Sequence, residues 1–263
     1  MSFFEALLLG IVQGLTEFLP VSSSGHLEIA KAIIGSELTP STSLMFTIVV
    51  HLATAFATIV IFRKDIKSIF LNIFKGDKAD RKFSFAILVS LFPAAIIGIF
   101  FNDFIEVLFS GNILLVGLML IVTGILLILT DQVKDRNVEL NYFTALIIGL
   151  SQAIAILPGI SRSGATISTS VLLGMDREKA ARFSFLMVIP LILGKVILDL
   201  KDISSFTDSN QIYILVTGFI SAFFTGLWAC KLMIRLVKRA RLKGFAIYCG
   251  SIGILVLIWT QIF

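Results

Sequence analysis

Six stretches of this chain, at about 43–62, 83–101, 112–130, 183–199, 212–234 and 244–262, run apolar for as long, or nearly as long, as a membrane crossing requires. A hydrocarbon layer is roughly 30 Å thick and takes roughly 17–25 helical residues. The runs do not alternate, which excludes an outer-membrane barrel, whose strands carry apolar and polar side chains in turn. Composition removes the soluble classes. Of 263 residues 57% are hydrophobic and 15% charged, against about 25% charged in an average globular domain, too little polar surface for a water-soluble particle of this size. One membrane domain over 1–263 is expected. Cys230 and Cys249 sit in apolar runs and read as small core residues, neither a disulfide framework nor a zinc site. No Lys or Arg precedes Lys31, and Glu5 stands where a secretory signal would be basic, so the start is expected to belong to the mature protein.

Two further apolar regions, 3–35 and 142–175, are interrupted by polar loops containing proline: LPVSSSGH in the first and LPGISRSG in the second. Neither half of either region is long enough to span alone. Each reads as a helix, a non-helical tip and a second short helix, an arrangement tolerated at membrane depth only inside protein or beside a wet cavity. The two regions also match each other. An offset of 139 pairs Gly10, Gln13 and Gly14 with Gly149, Gln152 and Ala153, and Ser22, Ser24 and Gly25 with Ser161, Ser163 and Gly164; Pro20 and Pro158 miss that register by one. An internal duplication is expected, with repeat one at about 1–130 and repeat two at about 142–263.

The net charge of +5 resembles a nucleic-acid signature, but its placement excludes that partner. If both broken regions return to the side they entered from, the loops at 63–82, 131–141, 174–182 and 231–243 share one face and hold 18 of the 22 Lys and Arg, with Lys31, Lys195 and Lys201 opposite. A single crossing by 142–175 would put the clusters at 63–82 and 231–243 on opposite faces and erase the bias that cytoplasmic loops carry. The expected fold is therefore an all-α polytopic membrane protein, six spanning helices plus two broken re-entrant helix pairs, with both termini extracytoplasmic. Three crossings per half set the second repeat inverted relative to the first, as in folds whose sites form at the repeat interface. Between the first two spans Ile66, Ile69, Phe70, Ile73 and Phe74 recur at helical spacing among basic residues until Gly76 and Asp77, which predicts an amphipathic helix at the bilayer surface.

Polar groups held at membrane depth are costly, so those of the two tips carry the chemical information. Gln13 and Glu17 lie four apart on one helix face. Beyond Pro20, Ser22, Ser23, Ser24 and Gly25 are expected to form a loop from which a helix restarts near His26. A restarting helix presents unpaired N–H groups and the positive end of its dipole, which suit a phosphate. In the second tip Ser161, Arg162, Ser163, Gly164 and Thr166 repeat the pattern and add a guanidinium, suited to bidentate phosphate contact. Taken singly, Ser and Gly in membrane helices are packing residues, His26 could be a satisfied buried histidine, and Glu17 with Arg162 could be a structural ion pair. Together they are expected to converge on one site, since duplicated tips would bring a carboxylate, an imidazole, hydroxyls and a guanidinium to the same place. His51, in a full span among apolar neighbours, is expected to be structural.

The strings QGLTEFLPVSSSGH at 13–26 and PGISRSGAT at 158–166 resemble the two signature motifs of the bacterial undecaprenyl-diphosphate phosphatase (bacitracin-resistance) family, and length and hydropathy agree over the whole chain. The resemblance implies hydrolysis of a polyisoprenyl diphosphate lipid to the monophosphate carrier for cell-wall precursors, in the bacterial inner membrane, with a divalent cation, Mg²⁺ or Ca²⁺. By position it implies catalytic roles for Glu17, Ser23, His26 and Arg162, phosphate contacts from the surrounding tip residues, and metal contacts from Glu17 and Gln13; Gln13 stands where some members have glutamate. It also implies re-entrant pairs in inverted repeats. Ser23 or His26 could attack, and His26 could instead be the general acid. A homodimer is compatible with the sequence and not required by it. Two other readings stay open: a transporter or lipid flippase built on the same inverted repeats, and the other lipid-phosphatase superfamily. The second needs a histidine after an SR motif, and here both histidines precede Ser161-Arg162.

Overall fold

The structure, a computed structural model, describes residues 1–34, 40–101, 105, 107–108, 112–133, 136–199, 209–239 and 242–262. Lys134, Lys201 and Arg241, counted above among the loop charges, lie outside the described residues. Eleven helices are delimited among those described: α1 (Phe3–Phe18), α2 (Ser23–Ile34), α3 (Pro40–Ile61), α4 (Arg63–Phe74), α5 (Lys78–Phe100), α6 (Ile113–Gln132), α7 (Tyr142–Ile154), α8 (Arg162–Leu172), α9 (Arg177–Asp199), α10 (Ser209–Lys238) and α11 (Lys243–Ile262). The helices α3, α5, α6, α9, α10 and α11 are long and apolar enough to cross a bilayer. The protein is an all-α polytopic membrane protein.

Local chemistry sets the ends. Ser2 and Glu5 form a reciprocal capping box that starts α1, and Asn141 with Thr144 does the same for α7. The Asp77 carboxylate accepts from the Asp80 N–H, so α5 begins five residues ahead of the apolar run predicted for it. Likewise α9 begins at Arg177, whose buried guanidinium donates to the Thr130 and Val133 carbonyls at the end of α6. The amphipathic helix is α4, which leaves Phe70, Leu71 and Phe74 exposed and is tied to α9 by the Asp65–Arg182 ion pair at 2.7 Å.

Small residues bring the helices to backbone contact, the packing mode of membrane interiors. A methyl group at Gly10 or Gly14 would come within 2.6 Å of the Gly218 or Ala222 carbonyl oxygen, so α1 lies parallel to α10 with almost no space between them. Phe46 and Val50 of α3 face the same Gly218, and Thr54 and Ala57 face Gly226, so α3 is also parallel to α10. The chain therefore reverses twice between Phe18 and Ser43, and α1 ends beside Gly226. From Gly226, α10 continues to Lys238, roughly 18 Å further at about 1.5 Å per residue. On the other side α7 meets α5 as closely, with the Gly149 position 2.4 Å from the Ser90 carbonyl oxygen, and α6 crosses α11 antiparallel with Gly117 and Gly253 face to face. The largest apolar core gathers Phe18, Leu127, Ile167, Phe185, Met233 and Cys249 around the ends of α1 and α8.

Candidate active site

The loops that join α1 to α2 and α7 to α8 meet each other, Gly25 against Gly159 and Gly164 against Pro20. Helix α1 stops at Phe18 because Pro20 cannot donate, and Leu19 takes an extended backbone. Ser22 then adopts φ +73°, a left-handed conformation that is costly for a residue with a side chain and is found where a site demands it. That turn lets Ser22 Oγ accept from the Gly25 N–H at 3.2 Å, and the helix restarts at Ser23, three residues earlier than the sequence suggested. The second loop places its left-handed residue at Gly159, φ +97°, where a Cβ would meet the Val116 carbonyl oxygen at 2.5 Å. Ser161 Oγ accepts from Gly164 N–H at 3.0 Å and α8 begins at Arg162. Serine pairs repeat as well: Ser22 with Ser24 at 3.4 Å, Ser161 with Ser163 at 3.3 Å. Each restarted helix turns its positive end, with N–H groups that no preceding helical carbonyl can reach, toward the meeting point.

Each loop is held by a long helix. Thr123 of α6 donates to the Gly159 carbonyl and accepts from the Ser161 N–H, both at 3.1 Å. On the other side Cys249 of α11 donates weakly to the Pro20 carbonyl at 3.6 Å, and the Tyr248 hydroxyl lies 2.8 Å from His26 Nε2.

At the centre stands Glu17, buried on the last turn of α1. Its Oε1 accepts from Arg162 Nη2. Its Oε2 accepts from Ser23 Oγ at 2.8 Å and from Gln13 Nε2 at 2.9 Å. The first residues of the two restarted helices, Ser23 and Arg162, thus converge on one carboxylate. Ser163 Oγ joins the loops by donating to the Leu19 carbonyl at 3.4 Å. A carboxylate buried at this depth is stable only with such partners. Beside it lies a small cavity lined by Glu17, Arg162, Ser163 and Ser184 together with Phe18, Phe185, Val188 and Ile192.

Two residues predicted for the site are held by partners outside the Glu17 cluster. His26 is engaged at both ring nitrogens, Nδ1 with the Ser22 carbonyl at 2.8 Å and Nε2 with Tyr248. Thr166 Oγ1 is fully buried against the Arg162 carbonyl and Ser184 Oγ, the latter at 2.6 Å. One further residue stands beside the cluster. His51, expected among apolar neighbours, carries its Nε2 3.7 Å from Glu17 Oε2 while its Nδ1 engages the Thr47 carbonyl at 2.8 Å. The signal was present: an imidazole in a membrane span satisfies the same rule that singled out Arg162.

Among the described residues no group of three or more His, Cys, Asp or Glu is placed to hold a metal ion. The oxygen that fits such a role is Gln13 Oε1, buried beside Glu17 without a hydrogen-bond partner among the described residues.

A helical fold with six helices long and apolar enough to cross a bilayer, and with a carboxylate, a guanidinium and two capped helix starts meeting in its interior, defines a class: polytopic membrane proteins with a buried polar centre. Residues 6–255 match the family described as bacitracin resistance protein BacA. The chain is 55% identical over 261 residues, 99% of each chain, to an undecaprenyl-diphosphatase of Christiangramia forsetii. It is 48% identical over 267 residues, the full length of both, to that of Bacteroides fragilis, and 41% identical over 259 residues, 97% of this chain and 99% of the relative, to that of Methanococcus vannielii. The chain belongs to the BacA family.

Proposed function

We propose that this protein hydrolyses a polyisoprenyl diphosphate, undecaprenyl diphosphate in the first instance, to the lipid monophosphate and inorganic phosphate. The relatives carry that activity in their names, and one observation carries it at the site: Ser23 and Arg162 share Glu17 at the positive ends of two helices.

In the reaction so read, the terminal phosphate enters between the starts of α2 and α8. Arg162 moves its second guanidinium edge onto the phosphate oxygens, and the tip N–H groups and the hydroxyls of Ser22, Ser24, Ser161 and Ser163 bind the others. Glu17 takes the Ser23 proton across their 2.8 Å hydrogen bond while Ser23 Oγ attacks the terminal phosphorus in line. The bond to the bridging oxygen breaks and the lipid leaves as its monophosphate. Glu17 hands that proton to the departing lipid phosphate oxygen and, a carboxylate again, deprotonates a water that attacks the phosphoserine. The bond from phosphorus to Ser23 Oγ breaks, and the proton passes from Glu17 to Ser23 Oγ as inorganic phosphate leaves. A divalent cation, Mg²⁺ or Ca²⁺, would be held by Gln13 Oε1 and Glu17 with oxygens of the diphosphate, and would offset phosphate charge.

The test is phosphate release from the lipid diphosphate by purified protein with and without chelator, and by Glu17→Ala and Arg162→Ala variants. Near-wild-type turnover in either variant would sink the assignment.

The same reading holds that each broken helix pair enters and leaves on one side, that the two repeats are inverted, and that both termini are extracytoplasmic. The parallel run of α1 and α3 along α10 supports re-entry of the first pair. Both native cysteines are buried, so a single cysteine introduced at Ser2 reports its side directly. Labelling by an impermeant maleimide from the outside of intact cells is expected, and labelling only after lysis would reverse the topology.

A further inference from the structure

The two histidines of this chain are mounted alike: in each, Nδ1 lies 2.8 Å from the carbonyl four residues back, Ser22 for His26 and Thr47 for His51. A carbonyl only accepts, so both Nδ1 atoms carry a proton and only Nε2 is left for chemistry. At His26, Nε2 meets the Tyr248 hydroxyl at 2.8 Å, and the phenol ring stacks on the imidazole with centroids 5.6 Å apart and planes 13° apart. Tyr248 belongs to α11, whose next residue, Cys249, contacts the Pro20 carbonyl of the same loop.

We infer that Tyr248 is a positioning residue for His26, fixing the imidazole plane and the Nδ1–H tautomer so that the ring exchanges protons only through Nε2. A phenol both donates and accepts. It donates to Nε2 of the neutral ring and accepts from Nε2–H of the imidazolium, so it holds the same pose before and after His26 takes a proton. No side chain that only donates or only accepts does both. The inference rests on the phosphatase reading with His26 added as the general acid that the family resemblance implies, but the mounting itself is independent of it.

The experiment labels the protein with ¹⁵N-histidine in lipid nanodiscs. Only two imidazoles contribute, His26 and His51, and a His51→Gln variant assigns them. The wild-type His26 signals are expected to show a protonated Nδ1 and an unprotonated Nε2. Tyr248→Phe keeps the ring and removes the hydroxyl; it is expected to shift the Nε2 signal toward a mixture of tautomers. It should also lower kcat for phosphate release about tenfold, the worth of one good hydrogen bond, with KM nearly unchanged. In a His26→Asn background the same substitution is expected to cost nothing more. The inference is overturned by a wild-type His26 protonated on Nε2 alone, by an unchanged His26 spectrum in Tyr248→Phe, or by an equal kcat loss in both backgrounds. Wild-type protein that releases no phosphate would defeat the enzymatic reading, while the spectrum still decides the mounting.

Discussion

At both loops a serine caps the restarted helix through the N–H three residues on, Ser22 to Gly25 and Ser161 to Gly164, and pairs with the serine two residues on. The residue between those serines differs: Ser23 in the first loop, Arg162 in the second, and both reach Glu17. Position 17 has Ile156 as its counterpart at the same offset, and Gln13 has Gln152. Gln13 donates to Glu17, whereas Gln152 is buried with neither amide atom partnered among the described residues. The backbone frame is thus common to both loops and the acid sits in one alone. A cap is a local geometry that any copy of the sequence regenerates, but a buried carboxylate needs a partner of opposite charge, and a second acid here would stand uncompensated.

That comparison can be broken most forcefully at the ion pair. Arg162→Gln leaves Glu17 buried without its cation and is expected to cost about 3–5 kcal/mol. Adding Glu17→Gln should recover most of the lost thermal stability in a melting experiment, while phosphate release stays at least about 10³-fold down in both. A double variant that recovers turnover would show the pair to be structural only. Next in size, Gly159→Ala forces a side chain onto a φ of +97° and into the Val116 carbonyl, for an expected loss of about 2–4 kcal/mol; the matching Ser22→Gly relieves its loop and should be neutral or slightly stabilising. The two glutamines should separate next. Gln152→Leu removes an unsatisfied buried amide and is expected to stabilise by about 1–2 kcal/mol with turnover intact, whereas Gln13→Leu should lower turnover about tenfold. Smallest is the cap: Ser161→Ala should lower stability by about 1 kcal/mol, readable as a shift of a few degrees in Tm.

Much of this was legible in residues alone. Apolar length found the six spans, and proline among polar residues found the two breaks, because both follow from local chain physics. The offset of 139 already paired Ser23 with Arg162, though not that both would reach a single carboxylate. What stayed hidden depended on contacts remote in sequence. His26 turns to Tyr248, 222 positions away, and His51 reaches Glu17 only because Gly218 and Gly226 draw α1 and α3 onto one face of α10. The start of α2 was misplaced because a serine with positive φ violates the usual residue preference, and such exceptions are decided by the surroundings.

The helices that hold each loop have a consequence for how such a chain can come apart. Helix α1 rests on α10, α7 rests on α5, the first loop is held from α11 and the second from α6. Every one of these contacts crosses from one side of the segment at 133–141 to the other, so the two sides are held together by packing as well as by the chain that joins them. Cut there and supplied as two polypeptides, the molecule would have to reassemble as an obligate heterodimer. Neither piece could be a smaller enzyme, since one would own the acid and the other the cation that neutralises it.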